Sequence, residues 1–299
     1  MPYDHRNPVT RSLPAALAAL VCSAALAGCG AASEAAEGTR GPAAAATTPG
    51  QGRTPDPSRA PSRAPAADAA RPLAGRTVVV DPGHNPGNFR HAREIGEKVD
   101  IGTARKECDT TGTSTNASGG KAAYTEAAFT LDVSHRLKKA LEARGAEVVL
   151  THDADRPYGP CIDERARIGN EAAADAVVSV HADGSAVGNR GFHVIVPAEV
   201  REGSADTRPI VAPSRTLGER IAAAFARTTG TSPANYLGDG TGLDVRSDLG
   251  GLNLSTVPKV FVECGNMRDP KDAALLTSGA WRQKAAQGIA DGIVTYLQG

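Results

Sequence analysis

Hydrophobic positions along this chain fall into two alternating periods. Short β-branched runs at 77–81, 147–151, 176–181, 191–196 and 259–264 read as strands. Between them, apolar residues return every three or four positions. In 124–144 these are Phe129, Val133, Leu137 and Leu141, with Gly145 as the stop; in 210–229 they are Leu217, Ile221 and Phe225. Segments 161–173, 273–276 and 281–297 read as further helices. This alternation predicts an α/β fold with helices on both faces of a sheet. The strands are near-continuous Val/Ile runs, which suits a sheet covered on both sides. Residues 82 to about 123, rich in Gly, Asn, Thr and Ser, carry no period and read as one long loop.

The N-terminal quarter has a different character. Arg6 and Arg11 lead into an uncharged Ala/Leu-rich run at 12–27, short for a membrane span. The run ends in Leu26-Ala27-Gly28-Cys29, which resembles the bacterial lipobox. That resemblance implies a lipoprotein signal peptide at 1–28 and a lipid on Cys29, with the mature chain anchored to the outer face of the cytoplasmic membrane. The alternative is an ordinary signal peptide cut near Ala27 or Gly28, with Cys29 a chance residue. Residues 29–73 are mostly Ala, Pro, Gly, Ser, Thr and Arg, and six prolines from Pro42 to Pro65 interrupt any helix. Such a segment cannot bury enough apolar surface to offset its ordering entropy and reads as a disordered tether. Residues 74–299 are then a single domain.

The formal net charge is zero and no basic stripe occurs, which argues against a nucleic-acid partner. Nothing in the pattern calls for an oligomer, so a monomer is expected. Beyond Cys22 and Cys29, three cysteines remain. Cys108 and Cys161 sit in polar loop sequence, whereas Cys264 ends an apolar strand. Outside the membrane a disulfide is allowed, and this context favours Cys108 with Cys161. Two free thiols, or a pair that includes Cys264, stay open.

Three strands end in residues capable of metal or acid–base chemistry. The first runs Val78-Val79-Val80-Asp81-Pro82-Gly83-His84, the third Val177-Val178-Ser179-Val180-His181-Ala182-Asp183, and the last Val260-Phe261-Val262-Glu263-Cys264. In sheets of this kind ligands bind beyond the C-terminal strand ends. If these strands are parallel neighbours, His84, His181 and Glu263 converge at one edge. Glu126 opens the first long helix and adds a second carboxylate. Two imidazoles and a carboxylate form a common catalytic zinc set, and a further carboxylate is then wanted as general base.

These residues lie in motifs that resemble a known family. Residues 78–85, the Glu126 helix start, Ser-Val-His-Ala-Asp at 179–183, Arg190-Gly191-Phe192-His193-Val194 and Val-Glu-Cys-Gly-Asn-Met at 262–267 are similar, in order, to the zinc-dependent N-acetylmuramoyl-L-alanine amidases, and to their compact actinobacterial members most of all. The surroundings of Cys108 and Cys161 resemble that branch too. The resemblance implies a mixed, mostly parallel sheet flanked by helices. It implies one Zn2+ held by His84, Glu126 and His181, with Glu263 activating water. The bond cut would join the lactyl group of N-acetylmuramic acid to L-alanine of the peptidoglycan stem peptide, in intact wall or in muropeptide fragments. Arg246 and Asn253 are expected along the substrate groove and His152 at its edge. Asp81 and Asp183 flank the ligands as candidates to orient their imidazoles, and His193 reads as structural. Two further readings remain: a zinc peptidase acting on stem peptides, and a silent wall-binding lipoprotein on the same scaffold.

Overall fold

A computed structural model describes residues 71–299 apart from 118, 119 and 121. The expected signal peptide, Cys29 and the tether as far as 70 lie outside the described residues. Leu73 already packs with the domain: it is fully buried and its N–H donates to the Arg144 carbonyl at 3.0 Å. In chain order the elements are β1 (Thr77–Pro82), α1 (Ala92–Gly96), β2 (Lys98–Asp100), β3 (Arg105–Glu107), α2 (Glu126–Glu142), β4 (Glu147–Leu150), α3 (Ile162–Glu171), β5 (Ala176–Asp183), β6 (His193–Pro197), β7 (Arg201–Glu202), β8 (Ala205–Asp206), α4 (Arg208–Thr229), β9 (Leu243–Arg246), α5 (Gly250–Asn253), β10 (Lys259–Asn266), α6 (Pro270–Leu276) and α7 (Gly279–Leu297).

The main sheet has the order β4-β1-β5-β10-β6-β9. The first four strands are mutually parallel, β6 is antiparallel to β10, and β9 is parallel to β6. The sheet is therefore mixed and mostly parallel. Side chains alternate between its faces. Val78, Val80, Val178, Val180, Val194, Val196, Val260 and Val262 point to one face and pack with Phe129, Leu137, Ile221, Phe225 and Ile289 of α2, α4 and α7. On the other face Val79 and Val177 pack against Ile168 of α3. Beyond that small patch the second face turns polar, with Asp81, Ser179, His181 and Glu263 toward the C-terminal strand ends. One face thus forms the core and the other carries chemistry.

Several boundaries differ from the sequence expectation. Helices α6 and α7 begin before their first apolar residues because Asp269 and Ser278 cap them, accepting from Lys271 and Asp272 N–H and from Trp281 N–H respectively. The stretch 82–123 is not structureless. It contains α1 and the hairpin β2–β3, whose strands are three residues each and largely charged.

Cys108 and Cys161 are joined in a disulfide, and Cys264 is a free, buried thiol. The bridge ties the N-terminus of α3 to the loop that carries Asp109 and Thr110. Its halves are 53 residues apart in sequence, so removing it relaxes a long loop in the unfolded chain. Replacing both cysteines by serine is expected to lower stability by about 2–4 kcal/mol, read as the shift of a urea-unfolding midpoint.

Candidate active site

Strand register sets a row of side chains across the polar face. His181 of β5 pairs with Glu263 of β10, and Glu263 pairs with His193 of β6. On the other side of His181 runs the end of β1, where Gly83 N–H donates to Val180 O at 3.0 Å. A Cβ on Gly83 would stand 2.3 Å from His181 Cε1, so only glycine leaves room for that imidazole. His84 follows with φ 62°, a left-handed conformation that a non-glycine residue holds only when its surroundings enforce it. Here the enforcing contact is Arg165, which donates to the His84 carbonyl at 3.0 Å.

Two imidazoles and one carboxylate meet at a point. Glu126 Oε1 lies 3.2 Å from His84 Nε2 and 3.0 Å from His181 Nδ1, and the three donor atoms fall within 4.8 Å of one another. The other ring nitrogens are engaged elsewhere. His84 Nδ1–H has the Thr110 carbonyl at 3.1 Å and Asp109 Oδ1 at 3.4 Å; His181 Nε2–H has Ser179 Oγ at 3.1 Å. These bonds leave His84 Nε2 and His181 Nδ1 facing Glu126, where a metal ion would replace the protons shared with the carboxylate. Donors about 2.0–2.1 Å from a shared tetrahedral centre stand roughly 3.3 Å apart, so spacing and donor chemistry both fit a zinc-like ion. Glu126 is the first residue of α2, behind the Thr125 cap, and its second oxygen accepts from Thr113 N–H at 2.9 Å. Gly112, with φ 71°, lets the loop pass close to His84 and Glu126; a Cβ there would be 2.7 Å from both Glu126 Oε2 and His84 Cδ2. Burial by itself would lower the His84 pKa, but the Glu126 and Asp109 carboxylates outweigh it and raise it to about 10. Burial opposes ionisation of Glu126, yet the two imidazoles hold its carboxyl far below the usual range.

Glu263 stands beside this cluster. Its Oε2 is buried and has no hydrogen-bond partner among the described residues. Burial first, then the charges of Glu126 and Asp183, push its carboxyl well above the usual range. A cleft of about 360 Å³ exposes the cluster, with Ile195, Leu249 and Phe261 as apolar walls and Arg246 on the rim. Phe261 stacks on His181 with ring centroids 5.2 Å apart. Arg246 is gripped by Asp248 through bonds of 2.8 and 2.9 Å.

The other expected contacts are placed differently. His152 is buried behind β1, with Nε2 on the Pro82 carbonyl at 3.0 Å and Nδ1 accepting from Ala154 N–H at 3.2 Å, so neither nitrogen faces the cleft. Asn253 is buried and donates to Ser247 O and Thr103 Oγ1. It braces the segment after β9 and the turn of the β2–β3 hairpin rather than lining the groove. Asp81 and Asp183 do not bond the imidazoles of His84 and His181; Asp183 accepts from the Tyr236 hydroxyl at 2.7 Å. The groups that do orient the imidazoles are Asp109, Thr110 and Ser179. Ser179 could have been found from alternation alone, because it lies two residues before His181 on the same face.

Asp81 belongs to a buried charge cluster beneath the site. The five N–H groups of Arg165 meet five acceptors: Asp81 Oδ1 at 2.7 Å, Asp109 Oδ2 at 3.0 Å, and the carbonyls of Pro82, His84 and Pro160. Asp81 also accepts from Thr151, Ser179 and Lys259. Burial would raise the Asp109 carboxyl, but His84 and Arg165 outweigh it and hold it at about 2. Its folded pKa lies below its unfolded one, so the stability it contributes is present above about pH 4 and is lost as pH falls toward 2. Asp81 is shifted the same way. Unfolding midpoints are expected to drop between pH 5 and pH 2, with about 2 kcal/mol attributable to Asp109 over that whole range.

Comparison with known proteins agrees with this geometry. Residues 78–295 match the sequence profile of the family described as Amidase_3, N-acetylmuramoyl-L-alanine amidase. The chain is 39% identical over 226 residues to an N-acetylmuramoyl-L-alanine amidase of Mycobacterium tuberculosis, covering 75% of this chain and 88% of that protein. Among solved structures, the N-acetylmuramyl-L-alanine amidase Ami1 from Mycobacterium smegmatis matches with a TM-score of 0.67 and 38% identity, over 75% of this chain and 98% of that one. Ami1 from Mycobacterium abscessus matches with a TM-score of 0.67 and 40% identity, over 75% of this chain and 100% of that one. By the length of that match and by its identity to the mycobacterial enzymes, the chain belongs to the N-acetylmuramoyl-L-alanine amidase family.

Proposed function

We propose that this chain is a zinc-dependent hydrolase of the amide between the lactyl group of N-acetylmuramic acid and L-alanine of the peptidoglycan stem peptide. One observation carries the reading above all: the His84–Glu126–His181 donor set lies beside Glu263, the next side chain along the same row. Two imidazoles with one carboxylate favour zinc over magnesium or calcium, which prefer oxygen ligands. The names of the mycobacterial relatives supply the bond.

When bound there, zinc supplies Lewis acidity, polarising a carbonyl and making water a stronger acid at neutral pH. The chain's own groups do the rest. His84, Glu126 and His181 hold the ion, and Asp109, Thr110 and Ser179 fix the two imidazoles. Glu263 takes a proton as water oxygen bonds to the scissile carbonyl carbon. The carbon–nitrogen bond then breaks, and Glu263 returns that proton to the departing nitrogen. The products are a lactyl carboxylate and a stem peptide with a free L-alanine amine. A carboxyl whose protonated form is favoured by burial suits the second half of that cycle. Arg246, at the cleft rim, offers a cation to acidic groups of the stem peptide.

Peptidoglycan lies outside the cytoplasmic membrane, so the chain acts there. Among the described residues no helix is long and apolar enough to cross a membrane. The Leu26-Ala27-Gly28-Cys29 sequence supports lipid anchoring at Cys29, with residues 29–70 as the reach between membrane and wall.

Mass spectrometry of muropeptides digested by the purified protein tests the reading. The expected products are intact stem peptides and lactyl-bearing sugars. Cleavage within the peptide would favour the peptidase reading, and no cleavage the silent binding protein.

A further inference from the structure

We propose that His193 is a positioning residue for Glu263, holding the buried oxygen of that carboxyl so that the other oxygen faces the reacting water. The inference rests on the amidase reading for its kinetic consequence, although not for its geometry.

His193 and Glu263 face each other directly across the antiparallel β6–β10 pair. Directly opposed residues project from the same face with Cβ atoms about 4.5–5.5 Å apart. His193 therefore continues the row His181–Glu263 by one strand. Seven side-chain polar atoms among the described residues are buried without a partner, and two of them, His193 Nδ1 and Glu263 Oε2, fall on this facing pair. A buried donor or acceptor left unmade costs about 1–3 kcal/mol. The two do not bond each other directly in this structure, but on facing positions one bridging water or a small side-chain rotation satisfies both.

The identity of residue 193 points the same way. His193 is only 2% exposed, so it is no surface ligand. Its neighbours Phe192 and Val194 are fully buried in the apolar core, and Ile195, the next residue of β6 on the polar face, is aliphatic. An aliphatic residue would satisfy burial at 193, whereas an imidazole there is expensive without a polar task. The ring is also braced. Tyr236 meets it edge-on with centroids 6.1 Å apart, and the Tyr236 hydroxyl is itself held by Asp183. Burial keeps the imidazole neutral, so one ring nitrogen carries a proton to donate and the other can accept.

The test compares zinc-loaded wild type with His193→Leu and His193→Gln. In the leucine variant kcat is expected to fall about 10–100-fold, the scale seen when groups that orient metal ligands are removed. KM and zinc content should stay near wild type, and glutamine should restore part of the loss. In a Glu263→Gln background the same leucine change should alter residual turnover less than about twofold. A folded, zinc-loaded His193→Leu with wild-type kcat overturns the proposal, as does a full additional loss in the Glu263→Gln background. If the leucine variant does not fold, His193→Phe takes its place against His193→Gln. A second readout is independent of the substrate. The side-chain carboxyl carbon resonance of Glu263, assigned by its disappearance in Glu263→Gln, should move in the metal-free His193→Leu protein. An unmoved resonance overturns the pairing even if the amidase reading fails. A moved resonance with an inactive wild type would instead sink only the amidase reading.

Discussion

Replacing Glu263 by glutamine is expected to reduce turnover by about 10²–10⁴-fold while leaving zinc content unchanged. The figure is the usual contribution of one positioned acid–base group. Glutamine keeps the shape of the side chain but can neither accept the water proton nor return it to the leaving nitrogen. The three donor atoms that meet at the metal position come from His84, Glu126 and His181, so the loss should appear in kcat rather than in metal binding. Stability should change little, because burial already favours the uncharged form of Glu263 and an amide is a neutral group of the same shape. A folded, metal-loaded Glu263→Gln protein that still turns over at the wild-type rate would show that another group moves the proton.

The largest effect on stability is expected at Arg165. Its guanidinium is buried and every N–H has an acceptor, two of them the carboxylates of Asp81 and Asp109. Removing one member of a buried charge network strands the others, at about 3–5 kcal/mol. In a domain of this size Arg165→Met should lower the thermal midpoint on the order of 10 °C. Arg165→Lys should recover only part of this, because a single ammonium cannot reach five acceptors spread around a planar fork. The effect should reach the active site as well, since the His84 carbonyl is one of the five. An Arg165→Met protein as stable as wild type would mean that Lys259, Thr151 and Ser179 suffice to settle Asp81.

Much of the fold was legible because the signals were long. The valine runs of β1, β5 and β10 and the helical spacing of Phe129, Val133, Leu137 and Leu141 each extend over several residues, and all pack as their period implies. Strand ends carrying His84, His181 and Glu263 are neighbours because β1, β5 and β10 are adjacent in the sheet. What escaped was short or non-local. Strand β9 has only four residues, Leu243-Asp244-Val245-Arg246, at the sheet edge with Val245 exposed. The β2–β3 hairpin is built from charged residues with no apolar run to announce it. The partners of the His84 ring come from Asp109 and Thr110, the latter 26 residues away along the chain. Asp81 and Asp183 were nearer in sequence but are bonded elsewhere, to Arg165 and to Tyr236. Glu126 is a different case. At a helix start a carboxylate has an ordinary role beside the N-terminal dipole, and only the family motif singled it out from position alone.

The most direct test is metal analysis of the purified domain together with His181→Ala. The account predicts one zinc ion per wild-type chain and none in the variant. It also predicts that a chelator removes muropeptide hydrolysis and that added zinc restores it. Hydrolysis at full rate by metal-free wild-type protein would contradict it, as would a His181→Ala protein that binds zinc as tightly as wild type.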